Sequence, residues 1–190
     1  QLDMDWLLTI AVIIVLIFVG ILLWLWSFYN RIVRSENRID NAWAQIDVQL
    51  KRRADLIPNL METVKGYMNH ERGTLEAVTK ARASIMSAKT PQESMDANNM
   101  LTGALKTLFA VAESYPDLKA SQNFLSLQDE LTHTEEKIAY SRQHFNDSVL
   151  VFNNTIETFP GVVFAKRMGK KEKQMLQIPE ASREVPKVAF

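Results

Sequence analysis

The sequence contains no cysteine, and only 6 glycine and 6 proline residues among 190. Without cysteine the chain has no disulfide, no thiolate metal site and no cysteine nucleophile. It carries 22 basic and 22 acidic side chains, so it has no net positive field to attract nucleic acid. We therefore expect no nucleic-acid partner, and the scarce glycine and proline residues mark the boundaries of long elements.

The sequence also lacks the common catalytic motifs. It has no zinc-protease histidine pair, no glycine-rich phosphate loop and no Gly-x-Ser-x-Gly elbow. Glu130 and His133 have the Glu-x-x-His spacing of carboxylate-bridged metal pairs, but neither His70 nor His144 follows a glutamate at that spacing. A di-metal centre needs two such pairs, so we expect Glu130 and His133 on a solvated face. The prediction is a protein that is not an enzyme and has no cofactor and no metal site.

What the sequence does contain is an uncharged, mostly apolar run from Trp6 to Trp26. A helix of about 21 residues is roughly 31 Å long, close to the thickness of the hydrocarbon core of a bilayer. A cleaved signal peptide would have a shorter apolar core and a basic start. Residues 1–28 are therefore predicted to form a transmembrane anchor. Gln1 is not an initiator residue, so we expect further sequence before it.

The charges beside the apolar run predict its orientation. Asp3 and Asp5 precede the run, whereas Arg31, Arg34 and Arg38 follow it. Positive charge is retained on the cytoplasmic side of a membrane. We expect a single-pass protein with its N terminus outside and its body in the cytoplasm.

Beyond the anchor, apolar residues recur at steps of three and four, which indicates helices almost throughout. Thr90, Pro91 and Glu93 form a helix-start signal, in which the threonine side chain caps the helix and the glutamate reaches back. Pro58 is expected to kink the first helix. Four helices are predicted, at about 29–70, 71–89, 91–114 and 118–158. The predicted fold is all-α, with the transmembrane helix continuing into a long-helix antiparallel four-helix bundle or coiled-coil domain over residues 29–160.

The fourth predicted helix has apolar residues exactly one heptad apart, which indicates a packing seam. These residues are Phe124, Leu131, Ile138, Phe145 and Phe152. Because the first and fourth helices are longer than the other two, we expect them to form a two-helix stalk near the membrane. Six apolar stalk residues then have too few partners within one chain: Ile39, Trp43, Ile46, Phe145, Phe152 and Ile156. The stalk is therefore predicted to form homo-oligomers.

Two charged segments are candidates for binding. A motif-rich strip of the first helix is a candidate docking site for a partner, and its residues are Lys51, Arg52, Arg53, Asp55, Pro58 and Asn59. The alternative is that its arginines pair with glutamates of the fourth helix. The tail, residues 161–190, is expected to be basic and irregular, and its candidate lipid contacts are Lys166, Arg167, Lys170, Lys171 and Lys173. The alternative is a tail that is solvated or packed on protein.

A set of residues from the anchor to the end of the sequence matches a family pattern. It includes Tyr29, Asn30, Arg31, Asn41, Ala42, the runs 45–53 and 55–60, Lys65, Gly66, Tyr67, His70, Glu71, Tyr115, Pro116, Leu118, Lys119, Asn123, Tyr140, Arg142, Gln143, Phe145, Asn146, Phe152, Asn153, Phe159, Pro160 and the closing Pro186, Lys187, Val188 and Phe190. By these residues the sequence resembles the LemA family. The resemblance implies an anchored bacterial membrane protein with a cytosolic bundle of long helices and no established enzymatic activity. Family members are discussed beside membrane-bound zinc proteases. The lysine-rich tail departs from the family pattern.

Two functions from different classes remain. The favoured one is a non-enzymatic scaffold or adaptor of the bacterial inner membrane, which self-associates and engages membrane lipid and membrane proteins, such as a membrane-bound protease in envelope quality control. The alternative is a membrane-tethered stress-sensing or signalling bundle. Sensor bundles usually hang between two membrane spans, and this sequence shows one. The side of the membrane on which the body lies separates the two.

Overall fold

The computed structural model describes residues 2–177, with side chains from Trp6 onward. All regular structure in this part of the chain is α-helical. The helices are α1 (Leu2–Lys65), α2 (Arg72–Ser87), α3 (Pro91–Ala112), α4 (Pro116–Lys119), α5 (Gln122–Glu157) and α6 (Gly161–Met168). The prediction of an all-α protein with one long apolar N-terminal helix is confirmed. The end of the tail, including the closing residues of the family resemblance, lies outside the described residues.

As expected, α1 contains both the apolar run and the predicted first helix, and it runs through Pro58 as one helix. The structure differs from the predicted helices in three places. α1 ends at Lys65 instead of near residue 70. α5 begins only at Gln122, because the residues before it form the separate short helix α4. The tail was expected to be irregular, but it begins with α6. α6 ends where Gly169 adopts a φ of 65°, a left-handed conformation that favours glycine.

The apolar segment of α1 is not covered by the rest of the described chain. From Trp6 to Trp26 its large side chains other than Leu25 are exposed, and the segment is long and apolar enough to cross a membrane. A bilayer would cover an exposed apolar surface of this extent. The Thr9 hydroxyl donates a hydrogen bond of 2.7 Å to the Trp6 carbonyl oxygen, so this side chain presents no unpaired donor to lipid.

The start of α3 follows the capping signal in the sequence. The Thr90 hydroxyl oxygen accepts a hydrogen bond of 3.2 Å from the Glu93 backbone N–H. The Glu93 carboxylate in turn accepts one of 2.8 Å from the backbone N–H of Lys89. Pro91 occupies the first helical position, where it needs no hydrogen-bond acceptor. The predicted helix start is confirmed.

Residues 40–147 together with 175–177 form one compact unit. Each long helix contributes one buried apolar stripe to its core, and representative members are Leu50, Ile57, Leu60, Val78, Met95, Leu101, Leu108, Phe124, Leu131 and Ile138. Polar contacts also join the helices. Arg82 Nε donates a hydrogen bond of 2.9 Å to the Ala54 carbonyl oxygen, and Asn123 Nδ2 donates one of 3.0 Å to Thr63 Oγ1.

Residues 2–39 and 148–174 form a second unit. Its core contains Ile32, Val149, Phe152, Ile156 and Ala165. The ring centroids of Phe28 in α1 and Phe164 in α6 are 5.5 Å apart. Gly161, the first residue of α6, packs directly on the Thr155 carbonyl oxygen, where a Cβ atom would overlap backbone atoms. Glycine at this position therefore permits the close approach of α6 to the end of α5.

Candidate functional site

Arg53 lies at the centre of a buried polar cluster, although it was predicted to belong to a docking strip. Its side chain is only 3 % exposed and forms an ion pair with Glu135 of α5. The same Nη1 atom donates hydrogen bonds of 2.5 Å to Asn98 Oδ1 and 3.0 Å to Thr102 Oγ1 in α3. We call Arg53, Asn98, Thr102 and Glu135 the Arg53 cluster. It ties α1, α3 and α5 together within one unit.

The electrostatics of the Arg53 cluster indicate a structural role. Burial lowers the pKa of Arg53, and the neighbouring Glu135 carboxylate opposes that shift. The Nε atom of Arg53 is buried and has no hydrogen-bond acceptor among the described residues. A buried guanidinium is costly unless its partners stay in place. The cluster thus favours the arrangement of the three helices in which Arg53 is paired with Glu135, over alternatives in which this ion pair is broken.

The other members of the predicted docking strip are exposed. Arg52 Nη2 lies 3.8 Å from Glu130 of α5, and about half of each side chain is open to solvent. Lys51 pairs with Asp47 one turn earlier on the same helix. Asp55, Pro58 and Asn59 are exposed on α1. The contacts of Arg52 and Arg53 agree with the alternative reading, in which the arginines pair with glutamates of the fourth long helix.

An exposed apolar groove lies on the α1 and α5 surface of the same unit. Val48 is 60 % exposed and Tyr140 is 77 % exposed, so the two side chains together present an apolar surface to solvent. Both line a cavity of about 480 Å³, together with Ala44, Gln45, Gln49, Lys137 and Ser141. We call this the Val48–Tyr140 groove. The Oε1 atom of Gln49 is buried there without a hydrogen-bond donor among the described residues.

The apolar residues predicted to form an oligomeric stalk are covered within a single chain. Five of them are buried: Ile39, Ile46, Phe145, Phe152 and Ile156. Trp43 is partly buried, and its ring centroid lies 6.2 Å from that of Phe145, edge to face. The expectation that these residues lack partners within one chain was therefore wrong. Self-association, if it uses an apolar surface of the body, must use another one.

The basic tail residues divide into two groups. Lys170 and Lys173 both pair with Glu36 of α1, and the distance from Lys173 Nζ to the carboxylate is 3.3 Å. The other three candidate lipid contacts, Lys166, Arg167 and Lys171, are exposed. Two of the five predicted lipid contacts are thus occupied by an intramolecular carboxylate.

Two asparagines of α5 hold the chain after α6 by its backbone. Asn153 accepts from the Lys173 N–H and donates to the Lys173 carbonyl oxygen, both at 2.9 Å. Asn146 does the same to Leu176, at 2.8 and 2.9 Å. Each asparagine satisfies both the backbone N–H and the carbonyl oxygen of one tail residue. The tail from 170 to 177 is thereby fastened without forming a helix.

Sequence reasoning noticed these asparagines but did not assign them a role. Phe145 and Asn146, and again Phe152 and Asn153, form the same dipeptide one heptad apart. The phenylalanine of each dipeptide is buried, and the asparagine beside it binds the tail. An asparagine that recurs one heptad later, each time beside a buried phenylalanine, is the signal in the sequence that could have indicated a contact between α5 and the tail.

The packing of residues 170–173 against α1 is expected to depend on Glu36. Hydrogen bonding from Lys170, supported by Lys173, holds the pKa of Glu36 below its ordinary value of 4.5. A depressed carboxylate pKa contributes stability at neutral pH that is lost as pH falls through the folded-state value. Glu36→Gln should speed tryptic cleavage at Lys170 and Lys171 about fivefold at pH 8, because roughly 1 kcal/mol of local stability is removed.

The exposed carboxylate of Asp40 on the same helix supplies the control, since it has no ion-pair partner among the described residues. Asp40→Asn should leave tail cleavage unchanged. As pH falls through the lowered folded-state pKa of Glu36, the hydrogen-exchange protection of the Lys173 amide should converge in the Glu36→Gln variant and the parent protein, because the Glu36 carboxyl of the parent then becomes neutral, as the glutamine of the variant is at every pH. Equal cleavage of the parent and the Glu36→Gln variant at pH 8 would contradict this role.

Comparison with known proteins agrees with the resemblance seen in the sequence. Residues 42–190 match the LemA family. The chain is also 30 % identical to the protein named Protein LemA of Metamycoplasma hominis over 158 residues, which are 81 % of this chain and 71 % of that protein. The matched region contains the Arg53 cluster, the Val48–Tyr140 groove and both tail-binding asparagines. This chain belongs to the LemA family.

Proposed function

We propose that this protein is a non-enzymatic scaffold or adaptor of the bacterial inner membrane, with its N terminus outside and its body in the cytoplasm. The proposal rests on the difference in exposure between the first and the second part of α1. Its first part exposes an apolar segment that is long enough to cross a bilayer, whereas Leu50 and Ile57 further along the same helix are buried in the core. One unbroken helix therefore serves as both anchor and core element, which holds the body at the membrane surface.

An antiparallel bundle is the arrangement that we propose for the body. Along α1 from Thr63 to Arg53 to Trp43, the partners on α5 are Asn123, Glu135 and Phe145. Residue numbers fall on one helix as they rise on the other, which is the pattern of an antiparallel pair. Buried side chains of α2 and α3 complete the core of this unit.

The Val48–Tyr140 groove is the docking surface that we propose for a membrane-protein partner. Lys137 in the groove has no ion-pair partner among the described residues, and Gln49 Oε1 has no donor there. The complementary occupant is an amphipathic helix of another membrane protein that presents a carboxylate to Lys137 and apolar side chains to Tyr140. A membrane-bound protease is the partner class that the family resemblance suggests.

The test is site-specific photocrosslinking of the full chain in intact membranes. A photoreactive phenylalanine analogue replaces Tyr140 in one variant and Met86 in the control. Met86 is also a large exposed apolar residue of this unit, but it lies outside the groove. Position 140 should give adducts with a membrane protein, and position 86 should not. An adduct of twice the mass of the chain would support self-association through the groove, and no adduct specific to position 140 would contradict the docking surface.

A separate experiment tests the topology. Because the chain contains no cysteine, a single introduced cysteine can be labelled selectively. An exposed residue of the tail, Glu172, is changed to cysteine and labelled with a membrane-impermeant thiol reagent. Labelling is expected only after the membrane is permeabilised. Labelling in intact cells would place the tail outside and favour the sensing bundle over the cytoplasmic scaffold.

A further inference from the structure

A cavity of about 550 Å³ opens just beyond the apolar segment of α1. Three arginines on one face of the helix, Arg31, Arg34 and Arg38, line it, and Trp26 and Val151 supply apolar walls. All these residues belong to the same structural unit. We call this the arginine cavity. In the sequence these three arginines indicated only the orientation of the anchor.

The three arginines have no ion-pair partner within the described chain, and all three are exposed. Of the carboxylates near them on the same helix, Glu36 is held by Lys170 and Lys173, and Asp40 is exposed. The arginine cavity therefore presents three solvated positive charges with which an anionic ligand can pair.

The position of the cavity relative to the apolar segment indicates what that ligand is. At a rise of 1.5 Å per residue, Arg31, Arg34 and Arg38 lie about 8, 12 and 18 Å beyond Trp26, and the headgroup layer is roughly 5–8 Å thick on each side of the hydrocarbon core. Helical side chains tilt toward the N terminus of their helix, which here means toward the bilayer. The side chains of Arg31 and Arg34 are therefore long enough to reach the lipid phosphates, whereas Arg38 lies farther out and adds positive charge to the cavity.

The chemistry of the walls agrees with an amphiphilic ligand. Trp26 and Val151 are largely exposed apolar side chains beside the arginines, and Asn30 adds a neutral polar group. Guanidinium groups bind phosphate oxygens in a bidentate geometry. We propose that the arginine cavity binds the phosphodiester headgroup of an anionic phospholipid, with the start of an acyl chain against Trp26. The proposal rests on the membrane anchoring of the proposed function.

The test compares two triple variants that remove equal charge. Arg31→Gln, Arg34→Gln and Arg38→Gln are combined in one protein. Lys166→Gln, Arg167→Gln and Lys171→Gln are combined in the control, which removes the three exposed tail cations predicted earlier to contact lipid. Each full-length protein is placed in nanodiscs of phosphatidylglycerol and phosphatidylcholine in equal amounts. The lipid that remains bound after mild detergent extraction is then quantified.

We expect the parent protein and the tail variant to retain phosphatidylglycerol at least tenfold over phosphatidylcholine. The arginine variant should lose this preference, and the single Arg34→Gln change should reduce it severalfold. The single change keeps two of the positive charges that orient the anchor, so it gives a result even if the triple variant inserts the wrong way. Retention of the preference by both arginine variants, or its loss only in the tail variant, would overturn the proposal.

Two further experiments distinguish a lipid site from a site for free anions, and a failure of lipid binding from a failure of membrane anchoring. Inorganic phosphate at millimolar concentration should not displace the bound phosphatidylglycerol, and displacement would make the cavity a site for free anions instead. Resistance of the parent protein to alkaline extraction from membranes reports anchoring on its own. Extraction by alkali would overturn the anchoring and this proposal together, whereas firm anchoring without lipid preference would overturn this proposal alone.

Discussion

Replacing Arg53 with methionine is expected to lower the midpoint of thermal unfolding by about 6–12 °C. Removing one partner of a buried ion pair costs roughly 3–5 kcal/mol. The lower end applies here because about one third of the Glu135 side chain is exposed, so water can hydrate the abandoned carboxylate. In a chain of this size about 3 kcal/mol corresponds to this shift in midpoint. Helical circular dichroism of the full chain in mild detergent measures it.

The neighbouring arginine supplies a matched control. Arg52→Met removes the same charge one residue away, from a pair that is 3.8 Å long and about half exposed. Exposed pairs contribute roughly 0–1 kcal/mol, so the midpoint should shift by less than about 4 °C. Equal decreases in the unfolding midpoint of the two variants would show that the Arg53 cluster does not stabilise the fold more than an exposed ion pair does. Combining Arg53→Met with Glu135→Leu should recover part of the loss, because no unpaired charge then remains.

Replacing Phe152 with alanine is expected to cost about 3–5 kcal/mol, a decrease of roughly 6–20 °C in the unfolding midpoint. Phe152 is 0 % exposed within a single chain, so the substitution removes an aromatic ring from a packed core and leaves a cavity. Thermal unfolding should show the same decrease at every protein concentration. Leu150→Ala is the control, since Leu150 is an exposed residue of the same helix and its truncation should have little effect.

The Phe152 variant also tests the stalk hypothesis. If Phe152 packed against another copy of the chain, alanine would dissociate an oligomer while the helices kept their unfolding midpoint. Because Phe152 is covered within one chain, crosslinking of the folded fraction should give the same oligomer distribution for the variant and the parent. Dissociation with an unchanged midpoint would restore the stalk as an interface between copies.

Local signals in the sequence predicted most of the elements. The apolar run from Trp6 to Trp26 and the capping residues around Thr90 act within a few turns of helix, so their consequences are visible without a tertiary structure. Burial of the heptad row of α5 is also visible in the sequence, because the helical period places all its members on one face. All five members of that row are buried: Phe124, Leu131, Ile138, Phe145 and Phe152.

The functional surfaces were harder to predict, since they depend on what a side chain meets across the fold. Arg53 and Arg52 are adjacent basic residues, yet they differ by a helical rotation of 100°, so one enters the core and the other remains in solvent. Tyr140 lies off the heptad row of α5 and is exposed, and the sequence does not show which residues of the other helices lie beside it. The helix α6 was missed because its eight residues carry too short a pattern.

The sequence by itself determined the helical class, the apolar anchor and the apolar face of each long helix, because these follow from composition and from the period of one chain segment. Only the tertiary structure decided which charges are paired. Glu36 meets Lys170 over a separation of 134 residues, and no local rule selects that partner from the other lysines. That pairing leaves Arg31, Arg34 and Arg38 without an ion-pair partner in the described chain beside the membrane segment, since charge balance in the fold depends on three-dimensional contacts that the total composition does not reveal.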